Sequence, residues 1–510
     1  MNEKHQYNEA SFCGTLPIHY INSIQPQGIL VIADVENLNV LQLSENASKL
    51  FGNTAAELVG ISLSNIFNIA SFDYLDDNRR NFKIALPVYL TSAEGRRLAS
   101  IIHEKDGALY IELEHPDYFE NSGSDINYFF QDVQHLMSVI NNCNSVNEVA
   151  AVAAREIKAL SGFDKVMIYS FDDEWVGTVI AEEMKEGMDS YMGLRFPSTD
   201  IPKIARDLYL KNPYRIIPDR NYQPVKLIPE TNPITHKPAD LSDCKFRGVM
   251  GVHLEYLKNM NVVASMSTRI IHKEKLWGLI ACHHTTAKFL SFNQCAFFEF
   301  ISNIVSAKIA SLLYREAIRK EEMLLSHYQD IVSMLQSSSD INEAFDDIKD
   351  QLLLVLQADG VAIYRDEKLF INGITPNEEE VMQLIDWLAG KNLNSTTQYQ
   401  ALSYHYDEAK HFADTGSGLL VLPVQPYERN YVLAFRPEAV KKVSWGGDPA
   451  NVLTFEPNST KYHPRNSFDI WKEVVRYTAE PWGKEEMDIA EKLRIALIEF
   501  TLKKLTEELK

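Results

Sequence analysis

The pattern of apolar and polar positions divides the chain into three blocks of mixed helix and strand. In the first block, residues 28–34 form an apolar run ended by a turn former, and residues 109–114 alternate as a half-buried strand does. Strand-like runs in the second and third blocks cover residues 165–171, 276–283, 361–364, 419–422 and 432–435. In the third block, helix and strands follow one another in the same order as in the second block. The pattern therefore predicts an α+β protein with a weak internal repeat of one fold.

Between the second and third blocks, residues 291–337 contain neither Gly nor Pro, and their apolar side chains recur at helical spacing. Ser291 is a plausible N-cap. A helix of this length measures roughly 60–70 Å, and it serves either packing between domains or a dimer spine that transmits motion. The chain also ends in an amphipathic helix, with Ile489, Leu493 and Leu497 on one face.

Three segments interrupt the blocks. Residues 121–125 are a polar linker, and residues 213–240 carry six prolines. Because proline removes a ladder donor and breaks helices, we predict a long functional loop at 213–240. A further insertion occupies residues 436–483.

Composition narrows the class of partner. The chain of 510 residues has 50 Lys and Arg against 70 Asp and Glu, a formal net charge of −20. Nucleic acid and anionic membranes need a basic face, so neither is expected as a partner. No uncharged apolar run approaches the ~18 residues that span a bilayer, and the polar start lacks a signal peptide, so we expect a cytoplasmic protein.

The spacing of the cysteines and the missing motifs argue against disulfides, a zinc site and the common classes of enzyme. The five cysteines are widely spaced without a CxxC pair, so neither disulfides nor zinc are expected, and only Cys13 lies in a polar arm without a core. Phosphate-loop, metalloprotease and hydrolase motifs are missing, which predicts no enzyme activity in this chain. His283 and His284 are adjacent on a strand, point to opposite faces and cannot easily share a metal.

The second block contains a candidate binding site. Asp200 stands between two prolines before a helix, where it either caps the helix or offers a carboxylate and a carbonyl to a ligand. Side chains that can hold ligand carboxylates follow at Tyr209, Arg215, Arg247, Ser265, Ser267 and His283. A core has little use for so many donors. The pattern predicts an apolar slot with an anion-binding rim.

Five motifs occur in order along the chain. They are Cys13 with PIH at 17–19 and SIQPQG at 23–28, PSTDIP at 197–202, HLEYLKNM at 253–260, LWGLIACHH at 276–284 and PRNSF at 464–468. Together they resemble the photosensory module of a bacterial phytochrome over nearly the full chain. PSTDIP is similar to the family's PASDIP signature, and PRNSF is similar to its PRxSF motif.

The resemblance implies an N-terminal arm at 1–13 and three domains, PAS (14–118), GAF (126–312) and PHY (320–510), with a PHY tongue at about 436–483. It also implies a figure-of-eight knot in which the arm passes through the loop 213–240, with Ile24 at the crossing. The cofactor would be a linear tetrapyrrole. Because Val252 stands where other classes carry the attaching cysteine, the chain resembles the class that binds biliverdin, here through a thioether to Cys13.

Roles for individual residues also follow from the resemblance. The backbone carbonyl of Asp200 and the side chain of His253 would face the pyrrole nitrogens, and Phe196 would pack against the D-ring. The implied cofactor-binding residues are Cys13, Tyr169, Phe196, Asp200, Ile201, Pro202, Tyr209, Arg215, Arg247, His253, Tyr256, Ser265, Ser267 and His283. The implied signalling residues of the tongue are Arg465, Ser467, Trp471 and Glu473. Arg465 would pair with Asp200 in the dark state.

The resemblance further implies a red/far-red photoreceptor that forms a parallel homodimer. Its partners would be a C-terminal output domain, a histidine kinase beyond Lys510, and the response regulator of that kinase. A light-independent PAS/GAF module that senses a small metabolite is the alternative, but it would need neither Cys13 nor Arg465. Departures from the family pattern at Gln27, Thr199 and residues 250–251 leave the implied fold unchanged, but they bear on the expected pocket hydrogen bonds and dark-state lifetime.

Overall fold

The computed structural model describes residues 21–82, 87–119, 126–338, 341–425, 429–449, 453–455, 462–465 and 467–508. The chain divides into two compact units. The first unit consists of residues 1–312 and 444–471, and the second of residues 313–443 and 472–510. The first unit thus contains the first two predicted domains together with most of the predicted tongue.

The first domain is an antiparallel sheet covered by short helices. Its strands are β1 Ser23–Ile24, β2 Gly28–Asp34, β3 Val40–Ser44, β4 Val88–Thr91, β5 Arg97–Lys105 and β6 Ala108–Glu114. Its helices are α1 Ser48–Phe51, α2 Ala55–Leu58, α3 Ile69–Asn78 and α4 Pro116–Phe119. Thr54 and Glu57 form a capping box that fixes the start of α2. Alternate side chains of β2, Ile29, Val31 and Ala33, enter the core, as the predicted strand requires.

The second domain is built on a sheet with helices against it. Its strands are β7 Lys165–Phe171, β8 Gly177–Met184, β9 Arg195–Phe196, β10 Tyr214–Ile217, β11 Val225–Ile228, β12 Ala264–His272 and β13 Lys275–His284. Its helices are α5 Ile126–Asn141, α6 Val146–Ser161, α7 Lys203–Lys211 and α8 Gly251–Asn259. The sheet order begins β10-β12-β13-β7-β8-β9, and Trp445 then pairs in parallel with Arg195. Two predicted strands, at 165–171 and 276–283, coincide with β7 and β13.

The proline-rich stretch 213–240 is not a plain loop, so this part of the prediction is wrong. It contains β10, which pairs with β12, and β11, which joins the sheet of the first domain between β1 and β3. The prolines flank these two strands and do not interrupt them, because Pro213, Pro218, Pro224 and Pro229 stand just outside their ends. Proline is tolerated at such positions.

The segment before β2 is held between the two domains. Ile24 pairs with Val225 of β11, while the Nε2 of Gln25 donates to the carbonyl oxygens of Ile216 (3.1 Å) and Arg247 (3.2 Å). Ile24 therefore contacts the predicted loop 213–240, while its place at a crossing stays a prediction. The passage of the arm itself falls on residues 1–20, outside the described residues.

One long helix, α9 Phe292–Ser337, has the length and start that the sequence predicts. The hydroxyl of Ser291 accepts the N–H of Gln294 (3.3 Å), and the Gln294 side chain accepts the N–H of Ser291 (2.9 Å). A carboxylate oxygen of Glu114 accepts the N–H of Phe292. Among the described residues α9 alone is long and apolar enough to cross a membrane. Its buried positions, such as Ile301 and Ile331, are those of a core helix.

The second unit packs its cores on both faces of one sheet. Its strands are β14 Gly360–Arg365, β15 Lys368–Gly373, β16 Thr397–Tyr399, β17 Gly418–Gln425 and β18 Asn430–Arg436. Its helices are α10 Ile341–Asp347, α11 Lys349–Val355, α12 Glu378–Ala389, α13 Ala413–Gly416 and α14 Lys484–Glu508. Val361 and Ile363 face the core under α14, while Ala362 and Tyr364 face the opposite core. Alternation along β14 thus separates the two cores.

The regular elements in the described parts of the predicted tongue are all strands. They are β19 Lys441–Gly446, β20 Leu453–Phe455, β21 Tyr462–Pro464 and β22 Ile470–Val475. β20 and β21 pair with each other in antiparallel register.

Because Glu114 accepts the N–H of Phe292 at the start of α9 and is buried, we expect it to make the stability of the protein depend on pH. Burial raises the pKa of Glu114 to about 7, against the hydrogen bond from Phe292. Since the folded chain then holds a proton that the unfolded chain has lost, this contribution to stability declines as pH rises from about 4.5 to about 7. We expect wild type to lose on the order of 2 kcal/mol more unfolding free energy than Glu114→Gln between pH 5.5 and pH 7.5.

Urea unfolding followed by tryptophan fluorescence at the two pH values measures this difference. Exposed Glu104 on β5 provides the control, because Glu104→Gln should retain the wild-type pH dependence. An identical dependence in wild type and Glu114→Gln would contradict the role of Glu114.

Candidate functional site

The first unit contains a cavity of about 300 Å³ between the sheet of the second domain and helices α7 and α8. Its wall is mostly apolar. Every described residue predicted to bind the cofactor lines it: Tyr169, Phe196, Asp200, Ile201, Pro202, Tyr209, Arg215, Arg247, His253, Tyr256, Ser265, Ser267 and His283. Arg465 lines it as well. Cys13 lies outside the described residues.

Cationic and hydroxyl groups gather at one part of the cavity. Ser265 and Ser267 share a face of β12, and the Tyr209 hydroxyl lies 2.5 Å from the Ser267 hydroxyl. Arg215 donates to the carbonyl oxygens of Arg247 (3.1 Å) and Gly248 (2.8 Å). These hydrogen bonds use only some of the N–H groups of the Arg215 guanidinium, and its other N–H groups can donate to an anion.

Of the two arginines in this cluster, Arg247 is buried and Arg215 is half-buried. Burial lowers the pKa of Arg215, and the neighbouring Arg247 lowers it further. Burial likewise lowers the pKa of Arg247. Among the described residues no carboxylate lies within ion-pair distance of either guanidinium. Two adjacent cations without a paired carboxylate favour an anionic ligand, because a buried charge is costly unless it is paired.

Asp200 lies at the end of a short 3-10 turn, Ser198–Asp200, that precedes α7. Its carboxylate accepts a hydrogen bond from the Tyr256 hydroxyl (3.0 Å) and forms an ion pair with the guanidinium of Arg465. Burial raises the pKa of Asp200, and Arg465 opposes that rise. The capping interpretation is therefore wrong, because Pro202 occupies the N-cap of α7 and the carboxylate points to the cavity wall.

Arg465 is tied into the segment 444–471 of the first unit. Its guanidinium also donates to the carbonyl oxygen of Gly446, and its own carbonyl accepts from the side chain of Asn259 (3.0 Å). The neighbouring Phe468 ring stands edge-on to Tyr256 with centroids 5.0 Å apart. This segment therefore closes one side of the cavity.

The other three predicted tongue residues do not line the cavity. The Ser467 hydroxyl is exposed and accepts the N–H of Asp469 (3.1 Å). Trp471 is 39% exposed, and Glu473 is half-buried. Their predicted roles concern another state of the tongue, which the structure does not test.

Aromatic rings and two neutral histidines form another part of the wall. The ring of Phe196 lies 6.0 Å from those of both Tyr169 and Tyr191. Burial lowers the pKa of His253 to about 4, with a further contribution from Arg215. Burial also lowers the pKa of His283 to about 3. Both imidazoles are thus uncharged at neutral pH.

Besides the Nε of Arg465, two buried polar atoms of cavity-lining residues have no hydrogen-bond partner within the described chain. They are the Nδ1 of His283 and the Oγ1 of Thr199. Buried polar atoms are normally satisfied, so both are candidates for contacts with a ligand. His284 points to the opposite face of β13, where its Nδ1 lies 3.0 Å from Asp164, as strand alternation predicts.

Sequence reasoning missed Tyr191, which lines the cavity beside Phe196. The Glu182 carboxylate accepts its N–H (3.0 Å) and thereby fixes the turn that carries it. No periodic pattern marks such a turn residue. The only available signal was an aromatic side chain five positions before Phe196.

Cysteines do not contribute to this cavity within the described residues. Cys143, Cys244, Cys282 and Cys295 are buried and free. Cys244 packs in a core with Ile24 and Leu227, so its proximity to His253 in sequence is incidental. The default prediction of small buried hydrophobic side chains is confirmed for these four.

Comparison with known proteins identifies the class of module first. The chain matches the family models for a PAS fold at residues 13–116, a GAF domain at residues 145–309 and the phytochrome region at residues 324–506. Tandem domains in this order define a phytochrome photosensory module, which confirms the fold class predicted from the sequence.

Full-length relatives extend the result to the family. The chain is 32% identical over 509 residues to cyanobacterial phytochrome B of Nostoc sp., covering 98% of this chain and 67% of the relative. It is 30% identical over 511 residues to a bacteriophytochrome of Pseudomonas aeruginosa, covering 97% and 67%. The chain therefore belongs to the phytochrome photoreceptor family. It spans about two thirds of the length of these relatives.

Solved structures agree in fold over almost the whole chain. A bacteriophytochrome from the photosynthetic bacterium R. palustris matches with a TM-score of 0.82 at 31% identity, covering 96% of this chain and 99% of that one. The photosensory core module of a Stigmatella aurantiaca phytochrome matches with a TM-score of 0.80 at 31% identity, covering 96% and 98%. These matches do not favour the alternative of a light-independent metabolite sensor.

The geometry of Arg465 predicts that its loss frees the segment 444–471. In Arg465→Met, the buried carboxylate of Asp200 loses its counter-ion, a change that typically costs about 3–5 kcal/mol. We expect chymotrypsin to cleave this segment at least tenfold faster than in wild type, as followed by mass spectrometry of the fragments. The exposed cation Lys472 supplies the control, since Lys472→Met should be cleaved at the wild-type rate. Equal cleavage of wild type and Arg465→Met would show that the pair does not hold the segment.

Proposed function

We propose that this photoreceptor covalently binds biliverdin at Cys13 and responds to red and far-red light. The observation that carries the proposal is the distribution of polarity around one cavity. At one part lie hydroxyl groups and two arginines that have no carboxylate partner among the described residues, and at another lie aromatic rings with neutral histidines. A linear tetrapyrrole has the same distribution, since its propionates are anionic and its rings are apolar.

The residues of this chain fit such a pigment. Arg215, Arg247, Tyr209, Ser265 and Ser267 would hold the propionate groups. The unpartnered Nδ1 of His283 and Oγ1 of Thr199 are buried polar atoms that a pigment could satisfy. When bound, the pigment supplies light absorption and the 15Z/15E isomerisation of its D-ring.

Other residues would orient the pigment in the cavity. The backbone carbonyl of Asp200 would accept hydrogen bonds from pyrrole N–H groups, and His253 would donate near the same nitrogens and the C-ring propionate. Tyr169, Tyr256 and His283 would surround the terminal ring, and Phe196 would pack against it. Ile201 and Pro202 line the wall beside Asp200. Together these contacts exclude water and restrict the pigment to one orientation.

The signal would pass through the ion pair of Asp200 and Arg465. In the structure the two are paired beside the cavity, and the regular elements of the tongue's described residues are strands. In the light state Ser467 takes the place of Arg465, and the tongue refolds from hairpin to helix with Trp471 and Glu473 in new packing. A strand rises about 1.8 Å more per residue than a helix, so refolding shortens the tongue and pulls on α9.

Assembly and output complete the proposal. We infer a parallel homodimer through the long helices, because α9 exposes large apolar side chains such as Phe300, Tyr314 and Met323. Neighbouring copies would bury such side chains. The output partners are a C-terminal domain of the histidine-kinase type and its response regulator.

The attachment site gives the test of this function. Wild type mixed with biliverdin should become coloured and keep its pigment through a denaturing gel, where zinc makes the band fluoresce. Cys13→Ser should take up pigment but lose at least 95% of the gel fluorescence, because the four cysteines among the described residues are all buried. The matched variant Cys244→Ser should retain it. Covalent pigment in Cys13→Ser would place the attachment at another cysteine.

A further inference from the structure

A buried ion pair lies behind the aromatic wall of the cavity. The ammonium of Lys165, on β7, is 3.4 Å from the carboxylate of Glu182, on β8, and their side chains are only 3% and 4% exposed. Burial lowers the pKa of Lys165, and Glu182 opposes this. A buried pair of this kind contributes little to stability by itself, since an apolar pair of similar volume is often as stable. Stability alone therefore does not explain why Lys165 and Glu182 are paired at this place.

Both partners converge on the turn that carries Tyr191. Lys165 donates to the carbonyl oxygen of Asp189, and its Nζ lies 4.0 Å from the centre of the Tyr191 ring. Glu182 accepts from the hydroxyl of Ser190 (2.6 Å) and from the N–H of Tyr191 (3.0 Å). Three consecutive residues of the turn are thus bound to the two charges.

The turn 189–191 places the Tyr191 ring in the wall of the cavity. Tyr191 stands edge-on to Phe196 with centroids 6.0 Å apart at 78°, and both line the cavity. Lys165 is also the register partner of His283 on β13, and its charge helps to keep that imidazole uncharged. The pair thus reaches two components of the same wall, the ring of Tyr191 and the imidazole of His283.

We propose that Lys165 and Glu182 are positioning residues, which hold Tyr191 and His283 in the arrangement that restrains the terminal ring of the bound pigment. The inference rests on the proposed function and deepens it by naming residues that do not themselves line the cavity. Without the cation, Glu182 loses its counter-ion and the turn 189–191 loses one of its two attachments. The wall then becomes looser, while the cluster around Arg215 and Arg247 is unchanged.

Light titration of the assembled pigment tests this inference. Lys165→Met keeps the length of the side chain without its charge. We expect it to bind biliverdin to within twofold of wild type, but to show a broadened red band and at least threefold less photoconversion per red-light dose. Lys165→Arg keeps the cation and should return the conversion to within twofold of wild type. This rescue separates charge-dependent positioning from loss of packing.

Two further variants complete the design. Lys105→Met removes a partly buried cation that pairs with Asp240 and Asp243 away from the cavity, and it should convert like wild type. If Lys165→Met does not fold, photoconversion per red-light dose is measured on Glu182→Gln in its place. This variant keeps the size of the side chain but removes its charge. At least threefold reduced conversion in Glu182→Gln supports the inference.

The outcomes distinguish this inference from the proposed function. Failure of wild type to bind or convert biliverdin would overturn the proposed function and this inference with it. Wild-type conversion together with unchanged conversion in Lys165→Met, or in Glu182→Gln where the first does not fold, would overturn the inference alone. A loss that Lys165→Arg does not restore would also overturn it.

Discussion

The ion pair of Asp200 and Arg465 is the interaction on which the site depends. Both side chains are 3% exposed, so each charge has lost most of its hydration and relies on the other. Asp200 belongs to the turn before α7, whereas Arg465 follows β21 some 265 positions later. One buried contact therefore connects the cavity wall to a segment distant in sequence. A change at the cavity that weakens this pair leaves two uncompensated charges, and the segment can respond by changing its packing.

The other cationic side chains of the cavity, Arg215 and Arg247, are held by backbone groups and not by an ion pair within the described part of the chain. Arg215 and Arg247 donate to backbone carbonyls that fix their position, but among the described residues neither has a carboxylate partner. His253 and His283 stay neutral because desolvation and the nearby cations Arg215 and Lys165 lower their pKa values. The site is thus prepared to receive negative charge near the arginines and an apolar ring system elsewhere. This asymmetry gives an elongated ligand one favoured direction in the cavity.

Sequence periodicity predicted the elements whose side chains repeat regularly. The strand β13 was evident as a nearly continuous apolar run, and the 46-residue helix α9 was evident because its apolar spacing matches a period of 3.6. The pocket residues were predicted through donor types and the family motifs. What local patterns could not supply was long-range pairing. The pairing of β11 with the sheet of the first domain and the attachment of Tyr191 to Glu182 depend on chain segments that meet only after folding.

Absorption spectra of the purified chain mixed with biliverdin, recorded before and after red light, decide whether this cavity holds a photoactive pigment. We expect a band in the red that forms on mixing and then changes reversibly on illumination, because the cavity would hold the pigment in one orientation. A protein that stays colourless, or whose band does not respond to light, would contradict it.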